Sequence, residues 1–247
     1  MPLPVSNRLA ISTRPAKTVN HTQIRKIIRM TTASVDLAAL LCSRLCQDLL
    51  SPVGALSNGL ELLADEKDPE MRVRCFELLE QSARISTDKL KFFRLAFGAA
   101  GGFGEFVEVE EPKALVEALV ADKAKVQVNW ALADAKLPKN AVKVLLNFAH
   151  IAIDALVRGG TLDIGAEMRD GATEIVVRAT GPKIAFDETI GKALEGSLPD
   201  SELSSRTAPA HMICLLARQA GGGLQYQRTD EALVLGAVLP QPEGMIG

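Results

Sequence analysis

Between Leu37 and Leu63 the chain sets an apolar residue at every third or fourth position: Leu37, Leu41, Leu45, Leu49, Val53, Leu56, Leu60 and Leu63. Steps of that size fall on one face of a 3.6-residue helix, so the run dictates a long amphipathic helix. The acidic stretch Asp65-Glu66-Lys67-Asp68-Pro69 breaks it. A second helical run follows through Met71, Cys75, Leu78, Ser82, Ile85, Leu90, Phe93 and Phe97, and it stops at Gly98 and the Gly101-Gly102 pair. Each helix spans about 28 residues, roughly 40 Å at 1.5 Å per residue. Two helices alone cannot enclose so long an apolar seam. The expectation is a hairpin over residues 36–98 that pairs with a second copy into a four-helix bundle.

Past residue 105 the periodicity changes. Phe106-Val107-Glu108-Val109 and Val126-Gln127-Val128-Asn129-Trp130 alternate as strands, with a helical stretch over 112–122 between them. A long helical pattern covers 138–157 and ends at Arg158-Gly159-Gly160. Strands over 161–168 and 173–179 are joined by the turn Arg169-Asp170-Gly171. Weaker helices at 187–194 and 208–220 precede strands at 224–228 and 233–239. The fold class is therefore α+β: a helical hairpin followed by an α/β sandwich over 105–240. Residues 1–35 carry six basic residues and no acid, and read as a solvated, disordered tail outside the fold. An organelle transit peptide and a translation start at Met30 are the alternatives.

Composition excludes several function classes. With 47% apolar residues in 247, the chain can bury a substantial core. Lys+Arg 28 against Asp+Glu 30 gives no polyanion-coating signal. One Trp and one Tyr cannot build the stacking platforms of single-stranded nucleic-acid binding. No apolar run reaches about 18 residues, so no membrane partner is expected. Cys42, Cys46, Cys75 and Cys214 form no Cys-x-x-Cys and suit a reduced cytoplasm. His21, His150 and His211 are scattered without metal-ligand spacing, which removes zinc chemistry. His150 sits among Leu145, Leu146, Phe148 and Ile151 and reads as a core or half-buried residue.

The most specific stretch is Cys46-Gln47-Asp48-Leu49-Leu50-Ser51-Pro52, continued by Val53-Gly54-Ala55-Leu56-Ser57-Asn58-Gly59-Leu60-Glu61-Leu62-Leu63. Gln47 lies two residues from both Leu45 and Leu49, which turns it away from the seam. Pro52 inside a helix removes one hydrogen bond and crowds the carbonyl of Asp48. A polar face with an incidental kink would explain that much. The whole stretch, however, resembles the phosphoacceptor motif of histidine kinases and, more narrowly, the ChpT-like histidine phosphotransferases, in which His is followed by an acid with Pro five residues on. Gln47 stands at the acceptor position. An amide nitrogen delocalised into its carbonyl has no basic lone pair, so it cannot form the phosphoramidate that an imidazole forms. Asp48 is the acid beside it and a poor substitute nucleophile.

The sandwich resembles the kinase ATP-binding domain in element order. Leu145-Leu146-Asn147-Phe148-Ala149-His150-Ile151-Ala152 aligns with the N box, with Ile151 at the magnesium-binding Asn. Arg178-Ala179-Thr180-Gly181-Pro182-Lys183-Ile184 aligns with the adenine loop, with Ala179 at its Asp and Lys183 at its second Gly. Ser205, Thr207 and Pro209 replace the glycines that let backbone approach phosphates. No ATP, metal or other cofactor is expected. The resemblance implies a homodimer that docks the receiver domains of a hybrid histidine kinase and of response regulators, with Mg2+ supplied by the receiver. Receiver contacts fall on Gln47, Ser51, Gly54, Ala55 and Asn58, although Gly54, Ala55 and Gly59 would equally suit close packing inside the bundle. The alternative is a non-catalytic module that binds receivers without relaying phosphate.

Overall fold

The structure, a computed structural model, describes residues 21–98, 105–121, 123 and 125–241, with side chains from residue 34 onward. By contacts it divides into Met1–Asp36 and a second unit, Leu37–Gly247. Helix α1 runs His21–Asp65 with Pro52 inside it, and α2 runs Pro69–Phe97. Residues 21–35 are thus helical where composition placed a disordered tail; residues 1–20 lie outside the described residues. The segment 21–35 holds neither Pro nor Gly. Extending a helix that already exists needs no new nucleus, and that outweighs the local excess of positive charge.

The break between α1 and α2 is built from the acidic stretch itself. Asp68 caps α2 by accepting from the Glu70 N–H at 3.1 Å, and Pro69 opens the helix. Arg72 donates to the Leu63 and Glu66 carbonyls at 3.2 and 2.9 Å, satisfying the end of α1. Within the hairpin the intrachain contact passes through the buried Pro52 and Gly59. A Cβ on Gly59 would sit 2.9 Å from Leu79 Cδ2, so the helices meet there at glycine distance. Val53 and Leu60, one position further on, are 51% and 59% exposed. The apolar run is wider than one hairpin can cover.

Strands β1 (Phe106–Glu108) and β3 (Lys136–Pro138) pair antiparallel, with α3 (Glu110–Val120) between them in sequence. The main sheet holds β2 (Val126–Leu132), β4 (Gly160–Arg169), β5 (Ala172–Thr180), β6 (Gly223–Arg228) and β7 (Ala232–Pro240), in the order β2-β4-β5-β7-β6. Only β2 and β4 are parallel; the other pairs are antiparallel. The tight β4–β5 turn uses left-handed Asp170 and Gly171, the pair its Asp-Gly sequence predicts. β3 has no counterpart in the sequence reading, since three residues carry no readable period.

Helices α4 (Lys139–Ala155), α5 (Glu188–Glu195) and α6 (Ala208–Gln219) complete the sandwich. Along β5, Thr173, Ile175, Val177 and Ala179 are buried while Glu174, Val176, Arg178 and Thr180 are exposed, so one face of the strand turns inward. Phe148, Leu146 and Val142 of α4 are fully buried in that core. Phe92, Phe93, Leu95 and Ala96, from the last turns of α2, belong to the same core. Asn147 fixes the junction: its amide donates to the Ala96 carbonyl at 3.3 Å and to Lys143 O at 2.8 Å. Hairpin and sandwich are joined by shared packing.

Candidate functional site

Pro52 has no N–H, so the carbonyl of Asp48, four residues back, loses its helical partner. Lys89 on α2 replaces it: Nζ donates to Asp48 O at 2.8 Å. The irregular turn is therefore held from the second helix. Replacing Lys89 with Met should cost about 1 kcal/mol by leaving that carbonyl unpaired. In a Pro52→Ala background a backbone N–H returns to Asp48 O, and the same replacement should cost little. Chemical denaturation of the four proteins measures the coupling, and equal costs in both backgrounds would refute it.

The Asp48 carboxylate has its own anchor. Arg44 Nε donates to Asp48 Oδ2 at 2.6 Å, and Arg44 Nη2 reaches Asp154 Oδ2 on α4 at 3.0 Å. The Arg44 and Asp48 side chains are only 15% and 20% exposed, which reduces solvent screening of the pair. Burial alone would raise the Asp154 carboxyl, but His150 and the Arg44 guanidinium together hold it below the ordinary carboxylate value. His150 lies against Phe92 and Phe93, with ring centroids 5.4 and 5.6 Å away. Desolvation among those rings lowers its pKa against the pull of Asp154. His150 is half-buried, as its apolar setting in the sequence predicts.

Gln47 is exposed on α1, and its Oε1 accepts from Ser205 Oγ at 3.0 Å. Ser51 and Asn58 are also exposed, and Gly54 and Ala55 half-buried. Steps of four, three and four residues put positions 47, 51, 54 and 58 on one face. A Cβ on Gly54 would meet nothing within 4 Å, so that glycine faces open space, whereas Gly59 is pressed on Leu79. The small residues thus divide: Gly59 packs the hairpin, and Gly54 borders the open strip. Arg44, Lys89 and Asp154 were not singled out by sequence, and Ser205 only as a departure from the glycine loop. The Arg44–Asp48 spacing of four was a readable signal; the other three approach only through the tertiary fold.

At the positions aligned with nucleotide ligands, Ile151 and Ala179 are buried among apolar side chains and Lys183 is exposed. The loop before α6 closes on itself, with Ser204 N–H donating to Thr207 Oγ1 at 2.9 Å. Thr207 is buried. Among the described residues no group of three or more His, Cys, Asp or Glu could hold a metal, and no helix is long and apolar enough to cross a membrane.

The family profile for the histidine phosphotransferase C-terminal domain matches residues 109–232, the sandwich. The protein phosphotransferase ChpT of Brucella abortus (strain 2308) is 34% identical over 208 residues, spanning 84% of this chain and 98% of that one. The chain belongs to the ChpT-like histidine phosphotransferase family. A bacterial phosphotransferase solved at 1.7 Å superposes with a TM-score of 0.71 at 32% identity, covering 82% of this chain and 96% of that one. Histidine kinase ThkA, solved with the response regulator TrrA, gives a TM-score of 0.48 at 15% identity over 92% of this chain and 68% of that one. The likeness to the bacterial phosphotransferase covers both helical and sheet layers, so the α+β architecture is the family's own.

Proposed function

We propose that this family member docks receiver domains of a two-component phosphorelay on the α1 strip Gln47, Ser51, Gly54, Ala55 and Asn58, and that Gln47 stands in place of the phosphoacceptor. The open face at Gly54 carries the reading: a partner helix could approach α1 there without displacing any side chain. The receivers would belong to a hybrid histidine kinase and to response regulators, each bringing its own Mg2+ and phosphorylated aspartate. The strip is made of small and neutral polar groups, so docking does not depend on an imidazole. Gln47 weakens the complex little while stopping transfer. Replacing Ala55 with Arg places a long cation in the strip and should lower receiver affinity by about tenfold or more. Calorimetric titration with a receiver measures it; unchanged affinity would mean that receivers dock elsewhere.

The working unit is a homodimer whose bundle closes over Val53 and Leu60, in a reduced cytoplasm. The sandwich serves as a scaffold without nucleotide. Ala179 offers no acceptor for an adenine amino group, Ile151 no metal ligand, and Thr207 is engaged with Ser204. Calorimetry with ATP and Mg2+ should show no heat of binding, and micromolar affinity would overturn this reading. The alternative, a non-catalytic module that binds receivers without relaying phosphate, is favoured by Gln47. It differs from the first reading in what Gln47→His does.

A further inference from the structure

A cavity of about 330 Å³ lies between the first turn of α4, the end of α6 and the edges of β5 and β7. That size is at the small end of the range for small-molecule sites. Thr173 lines it from the start of β5, whereas the aligned adenine position, Ala179, is near the other end of that strand, roughly 20 Å away at 3.3 Å per residue. The cavity thus lies away from the aligned adenine position, and Gln47 is not among its lining residues.

Two independent features point to a ligand. Thr173 is only 1% exposed, on the inward face of β5 opposite Leu239, and its hydroxyl has no hydrogen-bond partner. A valine of the same shape would leave no polar atom to satisfy there. The second feature is the N-terminus of α4, a helix of 17 residues with no side-chain cap. Its Lys139 N–H is taken by Glu105 O at 3.0 Å. Asn140 and Ala141, both lining the cavity, supply the next two amides, which have no partner within the helix. These amides and the helix dipole favour an anion.

The charge of that anion follows from the rim. Lys139 and Glu105 both line the cavity, so the side chains contribute no net positive charge to balance a dianion. Pro138, Ala220, Leu239 and Pro240 give the wall an apolar stretch, beside the neutral Gln219 and Gln241. We propose that this cavity binds a small organic monocarboxylate, its oxygens accepting from Asn140 N–H, Ala141 N–H and the Thr173 hydroxyl, its apolar body lying against Leu239 and Pro240.

Benzoate is a suitable probe, titrated into the full chain and followed by amide NMR, with inorganic phosphate and benzyl alcohol in parallel. Benzoate should move the Asn140, Ala141 and Thr173 resonances saturably. Thr173→Ser, which keeps the hydroxyl, should bind as the unaltered chain does, and Thr173→Val should bind about tenfold more weakly or worse. Absence of shifts at those three amides overturns the proposal, as does equal binding by Thr173→Val. Phosphate matching benzoate would make this a plain anion site, and benzyl alcohol matching it would make it an apolar pocket; either result rejects the carboxylate assignment. Should Thr173→Val fail to fold, the titrations of the unaltered chain and of Thr173→Ser decide alone.

Discussion

Gln47→His should convert a chain that takes no phosphoryl label into one that does. On the reading proposed above, the helix is prepared in every respect but the nucleophile. Position 47 is exposed, Pro52 interrupts the helical bonding just beyond it, and Lys89 holds the freed Asp48 carbonyl. A neutral imidazole nitrogen there can attack the phosphoryl group of a receiver aspartate, forming a P–N bond as the acyl phosphate breaks. The label should be acid-labile and base-stable. Asp48 is already paired with Arg44, so its oxygen must serve a histidine N–H while keeping that ion pair. An Arg44→Met companion should therefore change the labelling rate more than the stability of the bound receiver. Glutamine and histidine are similar in reach and position 47 is at the surface, so folding should shift by less than about 0.5 kcal/mol. A variant that folds and binds receivers yet never takes label would restrict the resemblance to architecture.

The second large effect concerns assembly. Leu60 is 59% exposed in the single chain, beside Val53 at 51%, and Phe76 and Val73 on α2 are exposed by 54% and 56%. So much apolar surface on one hairpin asks for a covering helix pair. Leu60→Asp leaves the single chain's own packing nearly untouched, yet it would bury one unpaired carboxylate from each copy in a dimer, at a cost of several kcal/mol. Light scattering should fall from about twice 26.4 kDa to the single-chain mass of 26.4 kDa, with helicity retained. A mass of 26.4 kDa for the unaltered chain at micromolar concentration would remove the dimer from the proposal.

Most of the fold was legible because its elements are long and strongly periodic. The alternation of β5, the Asp170-Gly171 turn and the Asp68-Pro69 helix start each act within a few residues, and each lies where local chemistry puts it. The start of α1 is not legible from net charge, which describes a segment's solubility, whereas residues 21–35 hold no Pro or Gly to stop a helix. β3 was too short to show a period. At the site, the strip from Gln47 to Asn58 could be drawn from helical spacing. Lys89, Asp154 and Ser205 could not: they come from other elements and approach α1 only after the chain has folded.

The core shared by α2 and the sandwich makes each layer part of the other's support. Phe92, Phe93, Leu95 and Ala96 are each at most 2% exposed, in a core built largely from elements beyond residue 105. Excising the hairpin at Gly98 would expose much of these four residues and remove the Asn147 amide that holds the Ala96 carbonyl. The boundary between hairpin and sandwich is an internal wall. The sheet and α4 are thus the foundation on which the hairpin helices stand, and a substitution that loosens α4 would be felt in the last turns of α2.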